Sequence, residues 1–600
     1  MMKLPNCRNV LTAGAGLLAA LSLCLGGCSP QPDALPDKED TAQEFSQITN
    51  DFFQWMASQD YLTQRRILSD PEAEGIEACS PSLPDVSENP WNHQVDMAKS
   101  LRFQLDLLDK TALDYPQQNL YDLLSFYADS QMKGEGLESF RLLTFLSPET
   151  GLMTKIPRIL GQLSFTEPED VEEYFSLLED LPRLFNDLVQ YIGQQQEISF
   201  TSSWLEDAQA ACAPYCLDPD HNGLTQSFLL QLDHLPGLSD QERQAYEERH
   251  AQAVTEFVIP AYQQLSQALK SLPPRADQEE GLWRLEGGRK YYEYLVLTET
   301  GTSFEDLSQL KSALEEQLQR NTKTMNELLA QSPELMAEIH FSQEFGNPES
   351  LLSFLAAETN KYFPALDEES LHPEVLSQEL SPLWDLPCWQ PPALNEPLEH
   401  STLWIDWQTA GNPDSLYPAL AEKGYPGSFY REAYRRSLDS EKVQALLSFP
   451  GWERGWDAYA RSYALSFDNG LSREAKQLAR LSYSSSLAIQ GLIDIQVNYY
   501  GWGVDEVKDF LAGYYQVDQE QVWEALYRRA AYAPGLSLSY CTGYLEIRQM
   551  KSRARDVLGD AFQEMEFHRF LLETGPGPFS LLRNRLDNWI VQQNMSSLSR

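Results

Sequence analysis

The sequence predicts a mainly α-helical protein with one small β element. Apolar residues recur every three to four positions over long stretches, and short turns rich in Pro, Gly and Asp separate those stretches. A single proline-dense segment ends in strict alternation. In chain order, helical period runs through 97–109, 170–192, 241–272, 303–330, 473–497 and 504–512. Within 303–330, Leu307, Leu310, Leu314, Leu318, Met325 and Leu328 share one face, and Ser303 with Asp306 offers a capping-box-like start. From 372 to 397, prolines at 373, 382, 387, 391, 392 and 397 forbid long helices. The stretch "STLWIDW" that follows alternates like a strand, which places the β element near residues 400–407.

A chain of 600 residues with 42% hydrophobic content can bury a large core. Its formal charge of −44 repels nucleic acid and anionic lipid surfaces, so no nucleic-acid partner is expected. Neither G-x-G-x-x-G nor G-x-x-x-x-G-K occurs, which argues against nucleotide chemistry.

At the amino terminus, Lys3 and Arg8 precede the apolar run "VLTAGAGLLAALSLCL", the charge and hydropathy order of an export signal. Leu25-Gly26-Gly27-Cys28 resembles a bacterial lipobox, in which the cysteine is lipidated after cleavage. The expectation is a signal peptide over 1–27, lipidation at Cys28, a flexible tether over 28–45 and a folded body over 46–600. The membrane partner is then the lipid itself, with the body on the extracytoplasmic side of a bacterial membrane. An uncleaved anchor is the alternative, disfavoured because the apolar run stops at two glycines.

Five cysteines follow Cys28: Cys79, Cys212, Cys216, Cys388 and Cys541. The pair in "CAPYC" suits a local disulfide in an oxidising compartment, whereas a zinc site would need a second ligand pair that the sequence lacks. "DPDHNG" at 218–223 copies half of a calcium loop, but Leu229 stands where the bidentate acid belongs, so it is expected to be a turn. "SQLK" at 308–311 has the S-x-x-K spacing inside an evident helix and carries no catalytic expectation. No two of the eight histidines, at 93, 221, 234, 250, 340, 372, 400 and 568, lie closer than thirteen residues, so no helix presents a His pair to a metal.

The carboxy-terminal half contains "LAEKGYPGSFY", "LLSFPGWERGWDAYARSYA", "IDIQVNYYGWGVDEVKDFLAGYY", "APGLSLSYCTGYLEI" and "FHRFLLETGPGPFSLL", in that order. These blocks, with "SPLWDLPCWQPPALNEPLEHSTLWIDWQ" before them, resemble the family catalogued as domain of unknown function 885 (DUF885), helical proteins similar to zinc metallopeptidases and often lipoproteins. The resemblance implies a large zincin-like helical body, with two lobes around a cleft and an edge strand beside the metal-binding helix. Where the family writes H-E-x-x-P-G-H, this chain reads Glu422, Lys423, Gly424, Tyr425, Pro426, Gly427 and Ser428. Where it writes E-G-W-A-x-Y, this chain begins with Arg454. Asp494 stands in a D-x-x-x-H pattern whose histidine position holds Asn498.

In relatives that keep the motif the resemblance implies zinc, with imidazoles as ligands and a carboxylate polarising water. For this chain it implies no catalytic residue and no metal or cofactor. Glu422, Lys423, Ser428 and Arg454 become degenerate positions, with Glu422 paired to Arg454 or Lys423 as a salt-bridged plug. Asp494, Asn498, Tyr540 and His568 are candidate cleft residues. The expected function is that of an inactive, membrane-anchored relative binding a peptide or exported protein. The alternatives are a hydrolase of altered, metal-independent mechanism and a solute-binding or structural lipoprotein.

Overall fold

The computed structural model describes residues 38–195, 198–276, 279–338, 345–366, 371–376, 386–407, 413–438, 441–514 and 520–598. The expected signal segment, Cys28 and the expected tether as far as residue 37 lie outside them. Residues 38–45, expected to continue the tether, instead open the helix Lys38–Ala57. Phe45, Ile48, Phe52 and Phe53 lie on its buried side and give the segment an apolar face to fold against.

The architecture is mainly helical. Eight helices frame the site: α1 (Gly288–Thr300), α2 (Leu307–Gln331), α3 (Pro413–Lys423), α4 (Ser428–Arg436), α5 (Pro450–Ala464), α6 (Arg473–Ile495), α7 (Leu536–Leu558) and α8 (Glu564–Thr574). The predicted leucine face of α2 is observed, with Leu310, Leu314 and Leu318 buried. Asp306 caps the helix by accepting from Gln309 N at 2.8 Å. Ser303 does not share in that cap. Its N–H and hydroxyl both donate to buried Glu546 of α7, at 2.7 and 2.9 Å, because a carboxylate shut off from water must gather donors.

Two helices predicted as continuous contain a π turn. The 241–272 stretch is observed as Asp240–Ala253, a π turn Val254–Val258 and Ile259–Ser271. Pro260 lacks the N–H that a regular ladder needs there, while the apolar pattern runs on unbroken. Likewise α6 passes into a π turn Gln496–Tyr500, closed by Gly501 at φ 87. The proline-rich region supplies β1 (His372–Val375), β2 (Cys388–Gln390) and β3 (Thr402–Ile405) in a sheet ordered β1-β3-β2, with β1 parallel and β2 antiparallel to β3. The predicted strand is therefore the central one. The edge strand that borders a cavity is β2, through Trp389.

The "CAPYC" thiols are free. The Ser202–Cys212 helix passes directly into a 3-10 turn, and the Cys212 thiol turns back along its own helix to donate to the Ala208 carbonyl at 3.4 Å. "DPDHNG" is the expected turn, with His221 Nδ1 2.9 Å from Asp218 Oδ1 and Asn222 capping the next helix.

One contiguous apolar cluster runs from Phe45 to Ile590. At its centre α5 crosses α7 through glycines. A Cβ on Gly455 would lie 2.5 Å from Gly543 Cα, and one on Gly543 would lie 1.9 Å from the Gly451 carbonyl oxygen. Gly451 is pressed in turn against Thr300 of α1.

Candidate functional site

Helix α3 ends at Lys423, and the chain doubles back through Gly424–Gly427 into α4. Only glycine fits at 427, because a Cβ there would stand 1.8 Å from the Glu422 carbonyl oxygen. Trp456 of α5 fastens the turn by donating from Nε1 to the Pro426 carbonyl at 3.0 Å. This frame sets Glu422, Lys423 and Ser428 against one face of α5.

That face presents Arg454, Asp457 and Arg461, spaced by one and then two helical turns from the first. Arg461 donates to Glu422 Oε2 at 3.0 Å, while Lys423 Nζ lies 3.1 Å from Glu422 Oε1 and 3.7 Å from Asp457 Oδ2. The Ser428 hydroxyl donates to Asp457 Oδ2 at 2.7 Å. Arg431 of α4 reaches 3.7 Å from Asp457 Oδ1 and donates to the Glu453 carbonyl at 2.9 Å. Two carboxylates thus face three cations. Of the two partners expected for Glu422, Lys423 pairs with it and Arg454 does not, since Arg461, two turns further along α5, takes that place. Arg454 instead pairs with Glu299 of α1 at 2.6 Å and donates to Ser539 Oγ at 3.0 Å.

The charges are set by opposing effects. Burial works against ionisation of Glu422, yet Lys423 and Arg461 outweigh it and hold the carboxyl below its ordinary value. Burial also disfavours the Lys423 ammonium, but Glu422 and Asp457 overcome it and raise the lysine above its usual range. Asp457 goes the other way: burial pushes it up despite Arg431 and Lys423. Tyr540 of α7 is half-buried in the same field, its phenol raised chiefly by burial. Asp457→Ala should lower stability by about 3 kcal/mol, since it leaves Lys423 and Arg431 short of a counter-charge in a poorly hydrated place. Urea unfolding measures this, and a loss below about 0.5 kcal/mol would mean the cluster is screened like a surface pair.

Three of the candidate cleft residues are fully buried and border neither of the described cavities. Asp494 accepts from Tyr292 Oη at 2.8 Å and Gly535 N at 3.0 Å, and burial pushes its carboxyl up to about 6 against those donors. Asn498 ties the π turn to its surroundings, donating to the Ala530 carbonyl at 2.8 Å. His568 is held between the Tyr362 carbonyl, 2.8 Å from Nδ1, and Tyr459 Oη, 2.7 Å from Nε2, with its ring stacked on Phe363 at 3.9 Å. A carbonyl only accepts, so Nδ1 carries the proton and Nε2 accepts from Tyr459. All three hold helices together.

Zinc does not fit these residues. Glu422 and Asp457 already face cations, and three positive groups stand where a dication would have to sit. At about 5 Å and an effective dielectric near 20, each would oppose it by several kcal/mol. Among the described residues no group of three or more His, Cys, Asp and Glu side chains could hold a metal. The first turns of α5 separate two cavities. One, of about 490 Å³, has Arg454 and Glu299 on its wall, and the other, of about 280 Å³, has Trp452, Glu453 and Trp389.

Sequence reasoning located the turn and missed Asp457 and Arg461. Asp457 occupies the alanine of the E-G-W-A-x-Y pattern, so matching against that pattern passes over it. The available signal was the recurrence of charge at 454, 457 and 461 on a helix otherwise buried on every side.

The profile of the family described as "Bacterial protein of unknown function (DUF885)" matches residues 73–586. No curated protein matches the chain. Its fold is similar to that of "the putative lipoprotein from Colwellia psychrerythraea", with a TM-score of 0.78 at 17% identity over 93% of this chain and 100% of that one. It is also similar to "a putative lipoprotein of unknown function from Shewanella oneidensis", with a TM-score of 0.61 at 14% identity, covering 91% of this chain and 99% of that one.

Proposed function

The chain belongs to this family of bacterial proteins of unknown function, and on that premise we propose that it is a non-catalytic, lipid-anchored member acting outside the cytoplasm, binding a peptide or exported partner in its helical cleft. The observation that carries this reading is the ion-paired cluster of Glu422, Lys423, Asp457, Arg431 and Arg461. It lies where the resemblance would place metal ligands and general base, and it supplies neither. The lipobox-like Cys28 and the two similar folds described as lipoproteins support the anchored location.

A metal-independent hydrolase using Glu422, Lys423, Tyr540 or His568 is the runner-up. A lysine whose pKa is raised by two neighbouring carboxylates holds its proton at neutral pH, which argues against Lys423 as a base. Purified protein lacking the amino-terminal segment should retain only substoichiometric zinc after dialysis, and should leave a panel of short peptides intact with or without chelator. Zinc bound one to one, or turnover abolished by chelator, would overturn the proposal. Turnover insensitive to chelator and lost in Lys423→Ala would favour the runner-up.

A further inference from the structure

The larger cavity is lined by four cations that the ion-paired cluster does not use, Lys155, Arg158, Arg275 and Arg454, and by the carboxylates of Glu149, Glu280 and Glu299. Lys155 and Arg158 lie one turn apart on the Leu152–Gly161 helix, and both line the 490 Å³ space together with Phe200, Trp204, Arg454 and Glu299. Among the described residues neither has an ion-pair partner. Arg158 Nε is shut off from solvent without a hydrogen-bond acceptor. Lys155 is solvent-exposed where it borders the cavity, and the surrounding protein together with nearby Arg66 lowers its pKa against a smaller opposing pull from Asp60. Elsewhere most cations of this acidic chain are paired: Arg454 with Glu299, Arg461 with Glu422, Arg65 with Asp170 and Glu173. Two neighbouring cations with no counter-charge repel each other, and an anion that joins them relieves that repulsion.

We infer that Lys155 and Arg158 form a carboxylate anchor that takes the free C-terminus of a short peptide lying in the 490 Å³ cavity. This rests on the peptide-binding reading above and assigns the end of the peptide that is recognised. Two features select a peptide over a polyanion. A formal charge of −44 repels any ligand with many negative groups, so a single carboxylate offset by an ammonium is favoured. The apolar wall of Phe200 and Trp204 also suits side chains next to one charged end, in a space of ordinary ligand size.

Calorimetric titration with trialanine and with its C-terminal amide tests the assignment. The free acid should bind at least about tenfold more tightly than the amide. The double variant Lys155→Met, Arg158→Met should bind both at the weak level, and without ligand it should unfold at a higher temperature than wild type. Equal affinities for acid and amide, or no binding of either, would overturn the anchor. So would a lower unfolding temperature in the variant, which would mark the two cations as structural. Acetate binding as tightly as trialanine would reduce the site to a general anion hole and overturn the peptide assignment. Recovery of cleaved trialanine alongside acid-selective binding would defeat the non-catalytic reading and leave the anchor standing.

Discussion

Gly455→Val should abolish the native fold or lower its stability by at least about 4 kcal/mol. A single Cβ on Gly455 already meets Gly543 Cα at 2.5 Å and the Gly543 carbonyl carbon at 2.6 Å, so the obstacle is backbone that no rotamer change can relieve. Valine adds two methyl groups to that overlap. Separating α5 from α7 would also pull Gly451 away from Thr300 and open the wall carrying Asp457 and Arg461. Native stabilities of about 5–15 kcal/mol leave little to absorb such a loss. Gly193→Ala is the control, because nothing stands within 4 Å of a Cβ there and a helix gains from the change. Urea unfolding followed by circular dichroism compares the two. A Gly455→Val protein within about 1 kcal/mol of wild type would mean that the crossing does not hold the core.

The second large effect is a pH dependence carried by His250. Its ring is buried and stacked on Phe228 at 4.2 Å, its Nε2 lies 3.2 Å from Thr225 Oγ1, and burial pushes its pKa down to about 3. The unfolded chain takes a proton at about 6.5, which the folded chain refuses until far lower pH. Its contribution is therefore whole above pH 6.5 and is lost as pH falls, at about 1.4 kcal/mol per unit. His250→Phe removes this one linkage and leaves every other titrating group in place. Between pH 7 and pH 4.5 the variant should gain about 2.5 kcal/mol relative to wild type in urea unfolding. Parallel pH profiles would show that His250 titrates freely. His568, lowered by burial and by Lys551, acts with the same sign. Asp494 opposes both, since a carboxyl raised to about 6 adds stability as pH falls from there.

Much of the helical body was legible because burial imposes a period. The leucines of α2 and the strand at 402–405 follow from that alone. The π turns were not, because the apolar pattern passes through Val254–Val258 and Gln496–Tyr500 without a break, and only Pro260 hints at the first. The turn at Gly424–Gly427 was readable from Pro-Gly, but its electrostatic partners were not. A pattern match compares positions one by one, whereas Arg461 meets Glu422 because seven residues make two turns of one helix. Lys155 and Arg158 belong to no motif. What sets them apart is that they stand one turn apart on a cavity wall with no ion-pair partner, and that can be seen only once the neighbouring elements are in place.

The unbroken core from Phe45 to Ile590 bears on how a guest is received. Among the described residues both walls of the larger chamber are rooted in one packed mass, since Phe200, Trp204, Leu282 and Tyr532 all belong to it. Selection must then rest on fixed dimensions and on charges already in position, as in a socket rather than a jaw. A guest that fits should arrive and leave without rearranging its host.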